Sequence, residues 1–158
     1  MGLLNSKLIR WVFRYNNSLL VSKPLAQVNA KYIERLPLKY SDIGVEGIVD
    51  ELILLYKQKI AEIESFLNFL NKAYLLEKPS EKLQSFHLLS FNEFLDEISK
   101  KKAKLSAKEK KELFPLFEET SKTLNQLCKE IEVKESLIDQ KICEIYSLSD
   151  GQIKQVLG

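Results

Sequence analysis

The chain has 158 residues, of which 45% are hydrophobic and 29% are charged, with only 5 Gly and 4 Pro. This composition is typical of a soluble, helix-rich protein of one ordinary domain and argues against a disordered chain. Cys128 and Cys143 form no CxxC pair, which favours a reduced, cytoplasmic location. No apolar run approaches about 18 residues, so the sequence predicts no membrane-spanning helix.

The charge of the chain is divided unevenly between its first quarter and the remainder. Residues 1–40 hold seven Lys and Arg against a single Glu, a net +6, whereas residues 41–158 hold 17 Lys and Arg against 21 Asp and Glu, a net −4. A basic segment joined to an acidic remainder indicates that the first part meets an anionic partner. The alternative is a basic face that contacts only solvent.

The first predicted element is a helix over Leu3–Tyr15. Four apolar side chains lie about one turn apart and form one stripe, namely Leu4, Leu8, Trp11 and Tyr15. Lys7, Arg10 and Arg14 lie three and four residues apart and share another face. Such a helix can pack on one side and contact phosphates with the other.

The segment after this helix is predicted to be irregular. Residues 16–28 contain Pro24 and lack helical spacing. Asn29 is then expected to cap a short helix over residues 30–35.

Two long helices follow. Residues 43–77 contain no proline and repeat apolar side chains at heptad spacing, with one four-residue stutter. The predicted stripe is Val49, Leu52, Tyr56, Ile60, Ile63, Leu67, Leu70 and Tyr74. A second run in heptad registry extends to Tyr146, and Pro115 is expected to interrupt it by a kink or a restart.

Three pairs of residues have the spacing of a helix capping box. They are Ser90 with Glu93, Ser106 with Glu109, and Ser149 with Gln152. The last pair predicts a short terminal helix whose apolar edge, Ile153, Val156 and Leu157, folds back onto the rest of the chain.

The predicted fold class is mainly α, with the two long helices forming a long antiparallel, coiled-coil-like hairpin beside a small mixed N-terminal remnant. Pairing of these helices between chains is the open alternative. Lys134 and Lys141 fall on the seam of the second helix. They either fix its register at a cost in stability or extend outward while Val133 and Ile142 pack.

Residues with catalytic chemistry are scarce. The sequence has no Gly-rich phosphate loop. His87 is the single histidine, which argues against a His-based metal cluster or a Ser/Cys–His relay, and its "SFHLL" setting favours a packing or surface role. We therefore expect no enzymatic activity of the chain itself.

Several stretches resemble, in order along the chain, the C-terminal region of adenine-specific DNA methyltransferases and Type IIG restriction–modification enzymes. "LLNSKLIRWVFRY" followed by "LAQVNAKYIERLPLKY" resembles the end of the TaqI-like C-terminal specificity domain. The long helix, the linking segment and the C-terminus of those enzymes are similar to "GIVDELILLYKQKIAEIESFLNFL", "FNEFLDEISKKKAKLSAKEKKELFPLFEE" and "IDQKICEIYSLSDGQIKQVLG". The resemblance covers nearly the whole chain.

The resemblance implies that residues 1–42 are the C-terminal end of a DNA target-recognition domain. Residues 43–158 would then be a helical spacer with a short C-terminal helix. The implied parent enzyme uses S-adenosylmethionine and Mg and methylates adenine through an Asn-Pro-Pro-aromatic motif, often with a fused nuclease. All four prolines here are followed by Leu or Ser, so this motif is missing and no cofactor is expected in this chain. We expect a C-terminal fragment whose natural end is Gly158.

The expected function is therefore a DNA target-recognition and spacer segment without catalysis of its own. The residues expected at DNA are Lys7, Arg10, Arg14, Lys23, Asn29, Lys31 and Arg35. Expected partners are double-stranded DNA, the methyltransferase or nuclease portion of the parent and, through the heptad helices, a second copy; no membrane is expected.

The alternative is a coiled-coil module that docks onto a methyltransferase or nuclease subunit. A third possibility, a lipid anchor, rests on Met1-Gly2 with Ser6, a short acylation pattern.

Overall fold

The computed structural model describes residues 6–16, 44–75, 78–100 and 105–158. The helices in these ranges are α1 (Lys7–Asn16), α2 (Glu46–Tyr74), α3 (Glu81–Gln84), a 3-10 helix (Phe86–Leu88), α4 (Phe91–Lys100), α5 (Ala107–Ile145) and α6 (Asp150–Leu157). None of the described residues lies in a strand, and the predicted mainly α class is confirmed. No helix in the described ranges is long and apolar enough to cross a membrane. The predicted helix over 30–35 and the domain boundary at 42 and 43 lie outside the described residues.

Both predicted long helices are present, with 29 residues in α2 and 39 in α5. Pro115 lies inside α5, which continues through it, so of the two predicted outcomes the restart is wrong. Proline offers no N–H to the carbonyl of Lys111, one turn earlier. Both residues are exposed, so water can hydrogen-bond that carbonyl in place of the missing N–H.

Contacts divide the chain into two compact units. One, which we call the terminal unit, comprises Met1–Leu52 with Glu132–Gly158. The other, which we call the aromatic unit, comprises Ile53–Ile131. The helices α2 and α5 each contribute residues to both units.

Phenylalanine rings fill the core of the aromatic unit. The ring centroids of Phe66 and Phe86 lie 4.3 Å apart, and those of Phe94 and Phe117 lie 4.7 Å apart. All four side chains are buried, together with Leu70, Leu83, Ile98, Leu113 and Leu124. Burying one such ring stabilises the fold by about 1.5–3 kcal/mol relative to leaving it exposed. The four rings therefore make a large contribution to the stability of this unit.

The heptad stripe predicted for α2 is buried only in part. Leu70 is fully buried and Ile63 packs against the core, but Ile60 is 53% exposed. Phe66, which the stripe omits, is buried instead. It lies one turn before Leu70 on the same face, and its ring meets Phe86.

Within the aromatic unit α2 and α5 run antiparallel. Tyr74 ends α2, and Glu109 lies in the first turn of α5. Burial first, and then the nearby charge of Glu109, raise the pKa of Tyr74, so these two ends are close. Earlier in α2, Lys59 lies near His87, whose carbonyl accepts a hydrogen bond from Asn125, further along α5.

The two capping boxes of the aromatic unit are confirmed. The Ser90 N–H donates to Glu93 Oε2 at 2.8 Å, and the Glu93 N–H donates back to Ser90 Oγ at 3.3 Å. Ser106 and Glu109 exchange the same two bonds, at 2.7 and 3.3 Å. The Ser90 and Ser106 hydroxyls also donate to these carboxylates, at 2.7 and 2.6 Å. Because the ionised carboxylate is the accepting form, the hydroxyl bonds first, and then the backbone N–H bonds, lower the pKa of Glu93 and Glu109. They fix the starts of α4 and α5.

Aliphatic side chains form the core of the terminal unit. Leu8 of α1 packs with Ile138 and Ile142 of α5, all three buried. Partly buried neighbours complete the cluster, namely Val12, Ile48, Val49, Leu52, Tyr146, Leu148 and Val156. α1 also packs against α6.

A tight turn joins α5 to α6. Ser147 has a φ of 51°, and the Leu148 N–H donates to the Cys143 carbonyl at 3.1 Å. This is a Schellman turn with serine at the position that glycine usually occupies. The Ser149 N–H then donates to Gln152 Oε1 at 2.8 Å, which confirms the predicted start of α6.

The residues at and beside the predicted seam of α5 differ from one another in exposure and contacts. Lys134 forms an ion pair with Glu51 of α2. Ile142 is fully buried, as the second alternative predicted. Val133 is 65% exposed, so the prediction that it packs is wrong. The ion pair satisfies Lys134 at the helix surface, and Val133 lies outside the buried face of α5.

Candidate functional site

The N-terminus of the basic helix α1 is anchored to α5. Ser6 Oγ accepts a hydrogen bond from the Ile9 N–H at 3.3 Å, which caps the helix. The Lys7 N–H donates to Asp139 Oδ1 at 2.8 Å, and Asp139 is only 6% exposed. An acceptor at this end satisfies a free N–H group, and the helix dipole favours its negative charge. A residue 132 positions away thus fixes the start of α1.

The outer face of α1 presents two of the predicted cations. Lys7 and Arg10 are exposed, whereas Leu8 is buried. Lys7 Nζ donates to the Leu157 carbonyl at 3.5 Å, at the C-terminus of α6, where the helix dipole favours a cation. The Arg10 guanidinium makes no ion pair or hydrogen bond within the described part of the chain. Arg10 is therefore fully available to an anionic partner, while Lys7 also ties α1 to α6.

The remaining predicted DNA-contact residues lie beyond the described side chains. The backbone of Arg14 is in α1, but its side chain is outside the description. The other four, Lys23, Asn29, Lys31 and Arg35, lie outside the described residues altogether. Of the seven predicted residues, the structure brings together Lys7 and Arg10.

The buried face of α1 differs from the predicted stripe. Leu8 is buried as predicted, but Trp11 is 38% exposed. Ile9 is buried instead, and Val12 packs against the core of the terminal unit. The helix is thus rotated relative to the prediction, because its neighbours contact the edge that carries Leu8, Ile9 and Val12.

A second candidate site, absent from the sequence predictions, lies in the aromatic unit. His87 and Ser121 line a cleft of about 820 Å³ along α5. They are only 7% and 9% exposed, and neither His87 Nδ1 nor Ser121 Oγ has a hydrogen-bond partner. Buried polar atoms are usually paired, so two unpaired atoms beside one cleft are unusual. His87 and Ser121 come to line one cleft through contacts between residues that are distant in the sequence. The sequence therefore carries no signal for this site.

The surroundings of His87 favour the neutral form of its ring. Burial first, and then the positive charge of Lys59, lower the pKa of His87. Its Nε2 lies 3.8 Å from Cys128 Sγ, and Asn125 Nδ2 donates to its carbonyl at 3.3 Å. Of the packing and surface roles expected for His87, the structure favours packing, because the ring is buried and contacts α5. No group of three or more His, Cys, Asp or Glu side chains in the described ranges could hold a metal ion.

A family model described as a domain of unknown function (DUF8810) matches residues 40–142. The chain belongs to this family. No curated protein and no solved structure matches the chain. The DUF8810 region contains the whole aromatic unit, together with α2 and most of α5. The basic helix α1 and the terminal helix α6 lie outside it.

Proposed function

We propose that this DUF8810 chain is a DNA target-recognition and spacer segment of a bacterial restriction–modification enzyme. It contributes DNA binding and positioning, and catalysis belongs to the rest of the parent enzyme, an adenine-specific DNA methyltransferase with or without a fused nuclease. S-adenosylmethionine and Mg act in that parent. The ordered resemblance along the sequence and the basic first quarter support this proposal.

The observation that carries the DNA contact is the exposed Arg10 on an anchored helix. Asp139 and Ser6 hold the start of α1, and Leu8 buries its inner face. A cation on a fixed helix loses little freedom when it meets a phosphate, so more of the contact energy remains for binding. Phosphate contacts of this kind set the position and register of a protein on a duplex without reading its sequence.

The long helices supply the spacer. At 1.5 Å per residue, α2 and α5 are roughly 45 and 60 Å long. Continuous helices of this length transmit position better than flexible linkers, whose end-to-end distance fluctuates. In this proposal the family region holds the recognition half at a set distance from its partner domain.

Fluorescence anisotropy with a labelled duplex tests the DNA contact. If about five cations meet phosphates, the logarithm of the affinity should fall with the logarithm of the salt concentration at a slope of roughly −4 to −5. Arg10→Ala should reduce the magnitude of this slope by about 1 and weaken binding similarly for unrelated sequences. The triple change of Lys7, Arg10 and Arg14 to Ala should nearly abolish binding.

Lys110→Ala is the matched control, because it removes one exposed positive charge from α5 rather than from α1. It should leave the slope unchanged. Absence of binding at low salt, or equal effects of Arg10→Ala and Lys110→Ala, would refute the DNA contact.

A second function, docking onto a methyltransferase or nuclease subunit, is favoured by apolar side chains on α2. Ile53, Leu54 and Ile60 are 45%, 58% and 53% exposed within two turns. Exposed apolar clusters of this kind mark protein interfaces more often than single exposed residues do. Light scattering should detect self-association if a second copy covers them, and Ile53→Ser with Ile60→Ser should abolish it. A monomer that restores the activity of the remaining parent enzyme, but lacks DNA affinity, would favour docking over DNA recognition.

A further inference from the structure

The cleft along α5 is lined by apolar residues and by charged residues of both signs. Leu89 contributes exposed apolar surface, whereas Phe117 is almost completely buried behind it. The exposed charged residues of the lining are Lys122, Lys129, Glu118 and Glu119. Neither lysine makes an ion pair or a hydrogen bond within the described part of the chain. Pockets that are mostly apolar, with a few polar groups, bind small molecules whose apolar body is buried and whose polar end is oriented. Between the two lysines, the cleft favours a negative charge at that end.

Ser121 adds an unpaired hydroxyl to this cleft. The residue is 9% exposed, and its Oγ lacks a hydrogen-bond partner. A buried hydroxyl without a partner costs free energy, which an acceptor oxygen on a ligand would recover. Because no bond fixes the hydroxyl, it can turn between its staggered rotamers toward the cleft.

Charges along α5 give the cleft a direction. Glu118 and Glu119 line it about one turn before Lys122, and Lys129 lies two turns after Lys122. An anionic group is therefore repelled at the glutamate end and attracted between the two lysines.

We propose that this cleft binds a small organic anion, a carboxylate or a phosphate ester. Its apolar body lies against Leu89, and its charged oxygens meet Ser121 and the two lysines. This inference is independent of the DNA contact, since every residue of the cleft lies in the aromatic unit and α1 has no part in it.

His87, the single histidine of the chain, allows binding in the cleft to be followed by NMR. The His87 ring lines the cleft, so its Cε1 proton gives one resolved NMR signal beside the ligand. A bound anion favours the imidazolium form and should raise the pKa of His87. The other charged or titratable groups around this ring are Lys59 on α2 and, on α5, Glu118, Glu119, Lys122, Cys128 and Lys129.

Titration with three matched aromatic probes tests the proposal on the whole chain. Benzoate and phenyl phosphate carry a negative charge, whereas benzamide is neutral. At least one anion should shift the His87 signal saturably at about millimolar concentration and raise its pKa, and benzamide should do neither. Tighter binding of phenyl phosphate assigns the site to phosphate esters, and tighter binding of benzoate assigns it to carboxylates.

Charge variants decide whether the cleft residues do the binding. Lys122→Ala and Lys129→Ala should each weaken the anion by about two- to fivefold, the usual range for an exposed charge contact. Glu118→Gln should tighten it, and Ser121→Ala should weaken it while keeping a good helix former in α5. Lys110→Ala, on the same helix but outside the cleft, is the matched control and should have no effect.

Three results would overturn the proposal. They are equal shifts with benzamide and the anions, no saturable shift with either anion, and equal affinities for Lys122→Ala and Lys110→Ala. Far-ultraviolet circular dichroism of each variant identifies any that fails to fold. The titration of the unaltered chain does not depend on the variants.

Discussion

The aromatic and terminal units are held together in different ways. The core of the aromatic unit is a cluster of fully buried phenylalanine and aliphatic side chains from one continuous stretch, residues 53–131. The terminal unit combines the two ends of the sequence around a smaller aliphatic cluster, and a buried carboxylate binds one end to the other. Apolar burial is spread over many contacts, whereas a buried hydrogen bond depends on both partners. The aromatic unit should therefore set global stability, and the terminal unit should contain the points where the fold opens locally.

The largest expected effect comes from emptying the aromatic core. Phe86 is fully buried and contacts the rings of Phe66, Phe94 and Phe117. Phe86→Ala should lower the free energy of unfolding by about 3–5 kcal/mol, through lost transfer energy and the cavity left behind. Urea denaturation followed by circular dichroism measures this change.

Leu88→Ala is the matched control, two residues away with a side chain that is 73% exposed. It should change stability by less than about 0.5 kcal/mol. Similar losses for the two variants would mean that the ring cluster is not the source of global stability.

A smaller and more local effect is expected at the carboxylate that anchors α1. Asp139→Ala removes the acceptor of the Lys7 N–H and should cost about 1–2 kcal/mol. Hydrogen exchange should become faster in the first turn of α1, while the core amides of the aromatic unit keep their protection.

Asp139→Asn keeps an acceptor oxygen of nearly the same shape and should restore most of the lost protection. Uniformly faster exchange across both units in the alanine variant would contradict the local role of Asp139.

The smallest expected effect is on how the free energy of unfolding depends on pH. It comes from His87, which lies in the aromatic unit. The pKa of His87 is lower in the folded chain than its ordinary value of 6.5, so the unfolded chain binds more protons between the two values. The stability contributed by neutral His87 is complete above about pH 6.5 and declines as the pH falls below it. Urea midpoints at about pH 7.5 and 5.5 should show this decline, and His87→Gln should remove it. Glu93 and Glu109 have lowered pKa values as well, and their contribution is lost only at more acidic pH.

An unchanged pH dependence in His87→Gln would show that other groups titrate in this window. Because His87 lies in the aromatic unit, the substitution should leave the pH dependence of local opening in the terminal unit unchanged.

Features encoded by residues close in sequence were predicted well. The capping boxes at Ser90, Ser106 and Ser149 depend on partners three residues away, and all three starts are confirmed. The side of a helix that becomes buried depends on what covers it. Periodicity alone therefore misplaced Trp11 and Ile60.

The contacts that define the two candidate sites were beyond the reach of the sequence. Lys7 meets Asp139 across 132 positions, and Asn125 meets His87 across 38. The excess of Lys and Arg in the first quarter of the chain did indicate the basic face of α1, because charges can be counted without knowledge of the fold. No comparable count points to Ser121, whose unpaired hydroxyl depends on the packing of α5.

The link between Lys7 and Asp139 also has a consequence for biosynthesis. A ribosome adds residues from the N-terminus onward, so α1 emerges long before its capping carboxylate and before the α6 carbonyl that Lys7 contacts. An isolated helix of ten residues is marginal in water. Residues 53–131 are complete before either partner of Lys7 leaves the ribosome, so the aromatic unit can form first. The cationic helix would then acquire its fixed position only after residues 139–157 have left the ribosome.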